Sequence, residues 1–171
     1  ALAATRHLIE LGHRRIGFLA GRPDLRSAGL RDAGYRRALA DAGIPLDPSL
    51  IGIGRYELEA TRDSARVMLS SDSRPTAVFA ANDLSAIAVI DVAHQLGLRV
   101  PADLSVVGFD DVPEATRRAL PLTTIQQPMR RLGAVAAEMV FTLLSGREVD
   151  EMHVILPTRL VVRATTAAPP R

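Results

Sequence analysis

Short apolar runs of four to six residues alternate along this chain with longer stretches whose apolar residues recur every third or fourth position. The first pattern suits strands buried on both faces, the second helices packed by one face. The pattern is sharpest from Thr76 to Asp111. Thr76 to Ala81 is a buried strand, Asn82 and Asp83 offer side-chain oxygens that start a helix, and Gly97 ends it before Pro101. Ser105 to Phe109 is a second buried run. The unit is therefore a crossover between two parallel strands.

The flanks follow the same alternation. Ala1 to Leu11 reads as a helix stopped by Gly12, and Arg15 to Ala20 as the first strand. Gly21 to Ser27 is a loop, and Ser27 is placed to cap a helix from about Ala28 to Ala42 with the stripe Tyr35, Ala38, Leu39, Ala42. Leu50 to Ile53 predicts a second strand, and Leu58 to Ser70 a third helix. After Asp111, Val112 to Leu120 predicts a short helix and Thr123 to Ile125 a brief strand or crossover. Pro128 opens a long helix to Leu144 with the stripe Leu132, Val135, Ala136, Met139, Leu143. Val154 to Leu156 and Leu160 to Val162 read as late strands, and Ala164 to Arg171 as a disordered or non-regular tail. The fold class is α/β, a parallel sheet with helices on both faces.

In such a sheet, ligands bind outside the carboxyl ends of the strands. Those ends carry Ser27 with Arg31, Tyr56, Asn82 with Asp83, and Asp110 with Asp111. Carboxylates, an amide, an arginine fork and a flat ring together suit a polyhydroxylated small molecule. Two readings stay open. Arg31, on the inward stripe of its helix, is either paired with an anion or hydroxyl group or snorkels to the surface. Within each pair at a strand exit, Asn82 with Asp83 and Asp110 with Asp111, one residue caps a helix and the other faces the crevice. Leu84, Ile87 and Val92 lie outside the buried stripe of the central helix and predict a dimer interface.

Composition narrows the chemistry. The 171 residues carry a net charge of +2, with no cysteine, and all 21 basic residues are arginine. Disulfides and thiolate metal sites are excluded. The arginines come in scattered pairs (Arg14 and Arg15, Arg36 and Arg37, Arg117 and Arg118, Arg130 and Arg131), so they read as solvated faces rather than a nucleic-acid stripe. No run is long enough to span a membrane and no secretory pattern opens the chain, which suits a cytoplasmic protein. His7, His13, His94 and His153 lack metal-type spacing, so no metal or cofactor is expected. No hydrolase elbow, phosphate loop or dinucleotide fingerprint is present, and a phosphatase of the haloacid dehalogenase type would place its aspartate after the first strand, where Gly21, Arg22 and Pro23 stand. The expectation is that the chain is not an enzyme.

Five segments carry a resemblance: GHRRIGFLAG (12–21), RDAGYRRAL (31–39), RPTAVFAANDLSAIAVI (74–90), LGLRVPADLSVVGFDD (96–111) and PLTTIQQP (121–128). In unbroken order over nearly the whole chain, they resemble the lactose-repressor/galactose-repressor family of bacterial transcription regulators. The resemblance implies a two-lobed, type I periplasmic-binding-protein-like domain with an effector between the lobes, homodimers or tetramers, and an operator read by an N-terminal helix-turn-helix absent from this sequence. It further implies that Arg31, Asp110, Asn82, Tyr56 and Ser27 contact the effector. Residues from about 13 to 125 would form the second lobe, while 1–12 and about 128–150 would belong to the first. These 171 residues alone would then bind neither operator nor effector tightly. The rival expectation is a periplasmic sugar-binding protein that serves a transporter.

Overall fold

The computed structural model describes residues 1–116, 119–149 and 151–170. The elements are α1 (Leu2–Glu10), β1 (Ile16–Ala20), α2 (Arg26–Asp41), β2 (Ile51–Ile53), α3 (Leu58–Leu69), β3 (Ala77–Ala80), α4 (Asp83–Gln95), β4 (Ser105–Asp110), α5 (Pro113–Thr116), β5 (Thr123–Gln126), α6 (Met129–Leu144) and β6 (Arg159–Val161). A single 3-10 turn, Pro48–Leu50, leads into β2. They form one sheet in the order β2-β1-β3-β4-β5-β6, parallel throughout except that β6 runs antiparallel to β5.

Successive strand residues point to opposite faces, so each strand feeds two cores. On one face Phe18, Phe79, Val107 and Ile125 pack with Ala4 and Leu8 of α1 and Tyr35 and Leu39 of α2. Phe18 stacks on Tyr35 and on Phe79 with ring centroids 5.0 and 5.4 Å apart. The Tyr35 hydroxyl donates to the Ile16 carbonyl at 2.8 Å, and burial pushes its pKa up to about 12. On the other face Leu19, Val78, Ala80 and Val106 meet Ala65, Met68 and Leu69 of α3 and Ala86, Val89 and Ile90 of α4. Helices cover both faces of the parallel strands, as expected for the class.

Four elements differ from the expectations. Ser27 does not cap α2: the helix starts at Arg26, with Leu25 at its N-cap and no side-chain cap, while Asp24 is taken by Arg22. Val154 to Leu156 is not a strand; among the described residues no strand pairs with it, and Ile155 is 92% exposed. The short helix expected from Val112 to Leu120 is α5 alone, and its Arg117 and Arg118 lie outside the described residues, as do Asp150 and Arg171. The stretch 164–170 is non-regular but tightly docked. Fully buried Thr165 donates to the Val106 carbonyl at 2.7 Å and accepts from the Thr123 N–H at 2.9 Å.

The two helices that the resemblance assigns to the first lobe behave differently. Ala4 and Leu8 of α1 are fully buried in the core on one face of the sheet, whereas α6 has no buried residue at all. His13, where the chain leaves α1, is buried and holds the far end of the tail. Its Nδ1 meets Thr76 Oγ1 at 2.9 Å, and its Nε2 meets the Ala167 carbonyl at 2.9 Å and Ser105 Oγ at 3.1 Å. A carbonyl can only accept, so Nε2 carries the proton. Burial lowers the pKa of this imidazole and keeps it neutral.

Replacing Thr165 with Val keeps the shape of the side chain and strips both of its hydrogen bonds. A buried N–H and a buried carbonyl are then left unsatisfied, at about 1 to 3 kcal/mol each. The expected outcome is a urea-unfolding midpoint well below that of the wild type; an unchanged midpoint means that the docked tail adds no stability.

Candidate functional site

The carboxyl edge of the sheet is where the backbone leaves its ordinary conformations. Arg55, Tyr56, Asp110 and Asp111 have φ values of 55°, 64°, 122° and 63°, and no other described non-glycine residue has a positive φ. Such residues cost about 1 to 3 kcal/mol each and persist only where the surroundings over-determine them. All four stand at the exits of β2 and β4.

Arg31 projects from the second turn of α2 into this edge. Its guanidinium lies 3.9 Å from the ring centroid of Phe109, the penultimate residue of β4, and 5.9 Å from that of Tyr56. It donates to the Ala81 carbonyl beyond β3 and reaches Asp110 Oδ1 at 3.4 Å. With 14% of its side chain exposed, it takes the inward-facing option rather than snorkelling. The Asp110 carboxylate also accepts from Gln127 Nε2 at 2.7 Å. Burial raises the pKa of Asp110, while Arg31 and Gln127 pull it down. A contact as long as 3.4 Å returns less than a close charged bond would, so burial wins.

The expected division of the acidic pairs, one capping and one facing the crevice, does not hold. Asn82 caps α4, its Oδ1 accepting from the Ser85 N–H at 2.9 Å, and its amide nitrogen has no partner among the described residues. Asp83 does not face the crevice. It is fully buried, where its two oxygens accept from Thr124 Oγ1 and, at 2.9 Å, from the Val112 N–H. Only a glycine at position 108 leaves room for it, since a Cβ there would come within 2.2 Å of Asp83 Oδ1. Asp111 caps nothing either: it pairs with Arg163 Nη2 at 2.6 Å and accepts from Gln126 Nε2 at 2.6 Å.

Tyr56 lies flat against Gly21, whose missing Cβ would stand 2.1 Å from the tyrosine Cζ, and its hydroxyl is buried with no partner among the described residues. Ser27 is exposed on the first turn of α2 and makes no hydrogen bond among the described residues. The structure thus gathers Arg31, Asp110 and Tyr56, keeps Asn82 at the same edge as a cap, and leaves Ser27 apart. Phe109, Gln126, Gln127 and Arg163 were not expected in the site. The phenylalanine looked like strand core, and the two glutamines sat beyond a strand whose existence was itself open.

Of the three residues expected at a dimer interface, Leu84 is 54% exposed and Ile87 partly exposed, but Val92 is fully buried in the α4 core. The correction is geometric: α4 packs against α3 and α5 as well as the sheet, and Val92 belongs to the buried cluster they share. Among the described residues no group of three His, Cys, Asp or Glu side chains is placed to hold a metal ion, and no helix is long and apolar enough to cross a membrane.

The sequence pattern of the periplasmic binding protein-like domain matches residues 5–166. The HTH-type transcriptional repressor PurR of Aliivibrio salmonicida (strain LFI1238) is 39% identical over 160 residues, which are 91% of this chain and 48% of that protein. The HTH-type transcriptional regulator DegA of Bacillus subtilis (strain 168) is 38% identical over 164 residues, 96% of this chain and 48% of its own. The chain spans about half the length of the curated relatives it matches. Among solved structures, a complex of the transcriptional regulator CelR with cellobiose superposes with a TM-score of 0.90 at 35% identity, over 96% of this chain and 50% of that one. The dimeric Lac repressor with an 11-residue C-terminal deletion gives 0.89 at 37% identity, over 98% and 62%.

Because burial raises the pKa of Asp83, the folded state holds that proton more tightly than the unfolded chain does. Its stabilising contribution is complete below the ordinary value of 3.8 and is lost as pH rises through the raised folded value. Urea unfolding at a series of pH values is therefore expected to show a decline in stability over that window that is shallower in Asp83→Asn than in the wild type. Parallel curves would mean that the buried carboxylate titrates normally.

Proposed function

The chain belongs to the periplasmic binding protein-like domain family, in the form that LacI-family transcription regulators carry as their effector-binding domain, and from this we propose that it senses a small polyhydroxylated ligand, a sugar or nucleoside-like compound, and converts its binding into altered operator affinity. The observation that carries this reading is the Arg31–Asp110 pair over Phe109, an incompletely satisfied charged pair at the carboxyl edge of a parallel sheet. Asp110 offers a hydroxyl-accepting oxygen, Arg31 donates to oxygens of the ligand, and Tyr56 presents an aromatic surface. Asn82 adds its amide nitrogen, and Ser27 would contribute its hydroxyl only where the ligand reaches beyond the gathered residues.

In this reading the chain is mainly the second lobe of a two-lobed domain. The exposed apolar stripe of α6, with Leu132 46% and Leu143 49% exposed, supports assigning that helix to a first lobe outside this sequence. Operator DNA would be read by a helix-turn-helix domain that also lies outside it. That the relatives are named as repressors favours a regulator over a transport protein. Effector would close the two lobes by binding one arrangement better than the other, and couplings of this kind are typically about 1 to 3 kcal/mol. Homodimers would form through the outer face of α4 around Leu84 and Ile87.

Two measurements on the full-length protein check this. A panel of D-ribose, cellobiose, guanosine and hypoxanthine is expected to contain a compound that raises the melting temperature of the wild type, since a ligand at a hundred times its Kd adds about 2.7 kcal/mol to folding. Asp110→Ala and Arg31→Ala should lose that shift, and equal shifts in all three proteins would remove the site from this edge. In sedimentation, the wild type should run as a dimer at micromolar concentration and Leu84→Glu as a monomer. A monomeric wild type would refute the interface.

A further inference from the structure

Asp110 and Asp111 hold more than a ligand surface. Asp110 lies opposite Gln126 in the register of β4 and β5. Asp110 Oδ1 accepts from Arg31 at 3.4 Å and from Gln127 Nε2 at 2.7 Å, and the Gln127 N–H donates to the Asp110 carbonyl at 3.3 Å. One residue along, Asp111 accepts from Gln126 Nε2 at 2.6 Å, and Gln126 Oε1 in turn accepts from Arg159 Nε of β6 at 2.7 Å. The aspartate pair and the glutamine pair therefore form two adjacent rungs. The first ends on the candidate ligand carboxylate and the second on the last strand of the sheet.

What lies beyond the rungs gives them leverage. Gln127 is followed by Pro128, and α6 begins at Met129. Since α6 buries no residue in this chain, a shift at Gln127 moves the helix without breaking any core contact here. A ligand hydroxyl that takes Asp110 Oδ1 must share that oxygen with Gln127 or displace it, because Oδ1 already serves two donors. Of the two bonds in place, the Gln127 bond is the shorter and tighter.

We propose that Gln127 is a positioning residue for the ligand carboxylate and that, with Gln126, it relays the occupancy of Asp110 to β6 and to the start of α6. This rests on the reading of Asp110 as a ligand contact. The device is local and needs no rearrangement of the sheet: one rung answers to the ligand, the other holds the outgoing strand pair.

The test uses the full-length protein without ligand or DNA, reading the carboxyl titration of Asp110 by NMR and amide hydrogen exchange in parallel. The charged and polar groups facing Asp110 are Arg31 from α2, Asp83 from α4 and Gln127. Gln127→Met removes one of the two groups that hold the Asp110 pKa down, so its titration is expected to move to higher pH. Exchange at 125–127 and 159–161 is expected to rise about tenfold, which is the loss of about 1.4 kcal/mol of protection. Gln126→Met, which cuts only the second rung, should accelerate 159–161 while leaving the Asp110 titration in place. An Asp110 titration that Gln127→Met does not move overturns the positioning role. A titration that moves while 159–161 exchange as before in both variants overturns the relay. Failure of the effector reading looks different: the full-length protein ignores the ligand panel even though both rungs respond here. Ligand binding that depends on Asp110, beside a silent Gln127→Met, defeats the relay alone.

Discussion

The candidate site depends on a carboxylate that never meets solvent. Asp83 sits at the start of α4, bonded to Thr124 of β5 and to the backbone at Val112 just past β4. One side chain thus fixes a helix start, a neighbouring strand and the loop that follows the strand between them. A buried charge of this kind is tolerated only when its oxygens are satisfied, and burial raises its pKa accordingly. The loop it holds is the one in which Asp110 and Asp111 take left-handed conformations. That tie acts together with the bonds of Arg31 and Gln127 to Asp110 and of Gln126 and Arg163 to Asp111, which hold two consecutive side-chain-bearing residues in so unfavourable a backbone.

Most of the fold was legible in the sequence because periodicity and burial agree there. The runs at 16–20, 77–80 and 105–110 are buried on both faces, so strand-length apolar stretches could hardly be anything else. Helix α4 followed from Asn82 and Gly97 for the same reason. The reading failed where a residue's role is set by a partner distant in sequence. Asp83 and Asn82 are adjacent and chemically alike, yet only the place of Thr124, 41 residues on, decides which of them is buried. Val92 looked surplus to one helical stripe because α4 meets its own sheet, α3 and α5 together and so buries a wider arc than a single face. Val154 to Leu156 had a strand's composition but no strand beside it.

Of the candidate site, the polar residues at the strand ends were readable and the apolar ones were not. Arg31 and Asp110 could be placed at one edge by topology alone. That the arginine lies over Phe109 required the structure, since the last buried residue of a strand gives no outward sign of which ring face it offers. Gln126 was hidden for a further reason: its partner Arg159 lies on antiparallel β6, which pairs with β5 only after a long excursion through α6.

The docked tail also bears on how the chain finds this fold. The bond from His13 to the Ala167 carbonyl joins residues 154 apart in sequence. Bringing the ends of a loop that long together costs about 4.5 kcal/mol in chain entropy, far more than a single hydrogen bond returns. That contact therefore forms only after the intervening strands have shortened the loop. Docking of the tail thus follows the assembly of the sheet that it fastens.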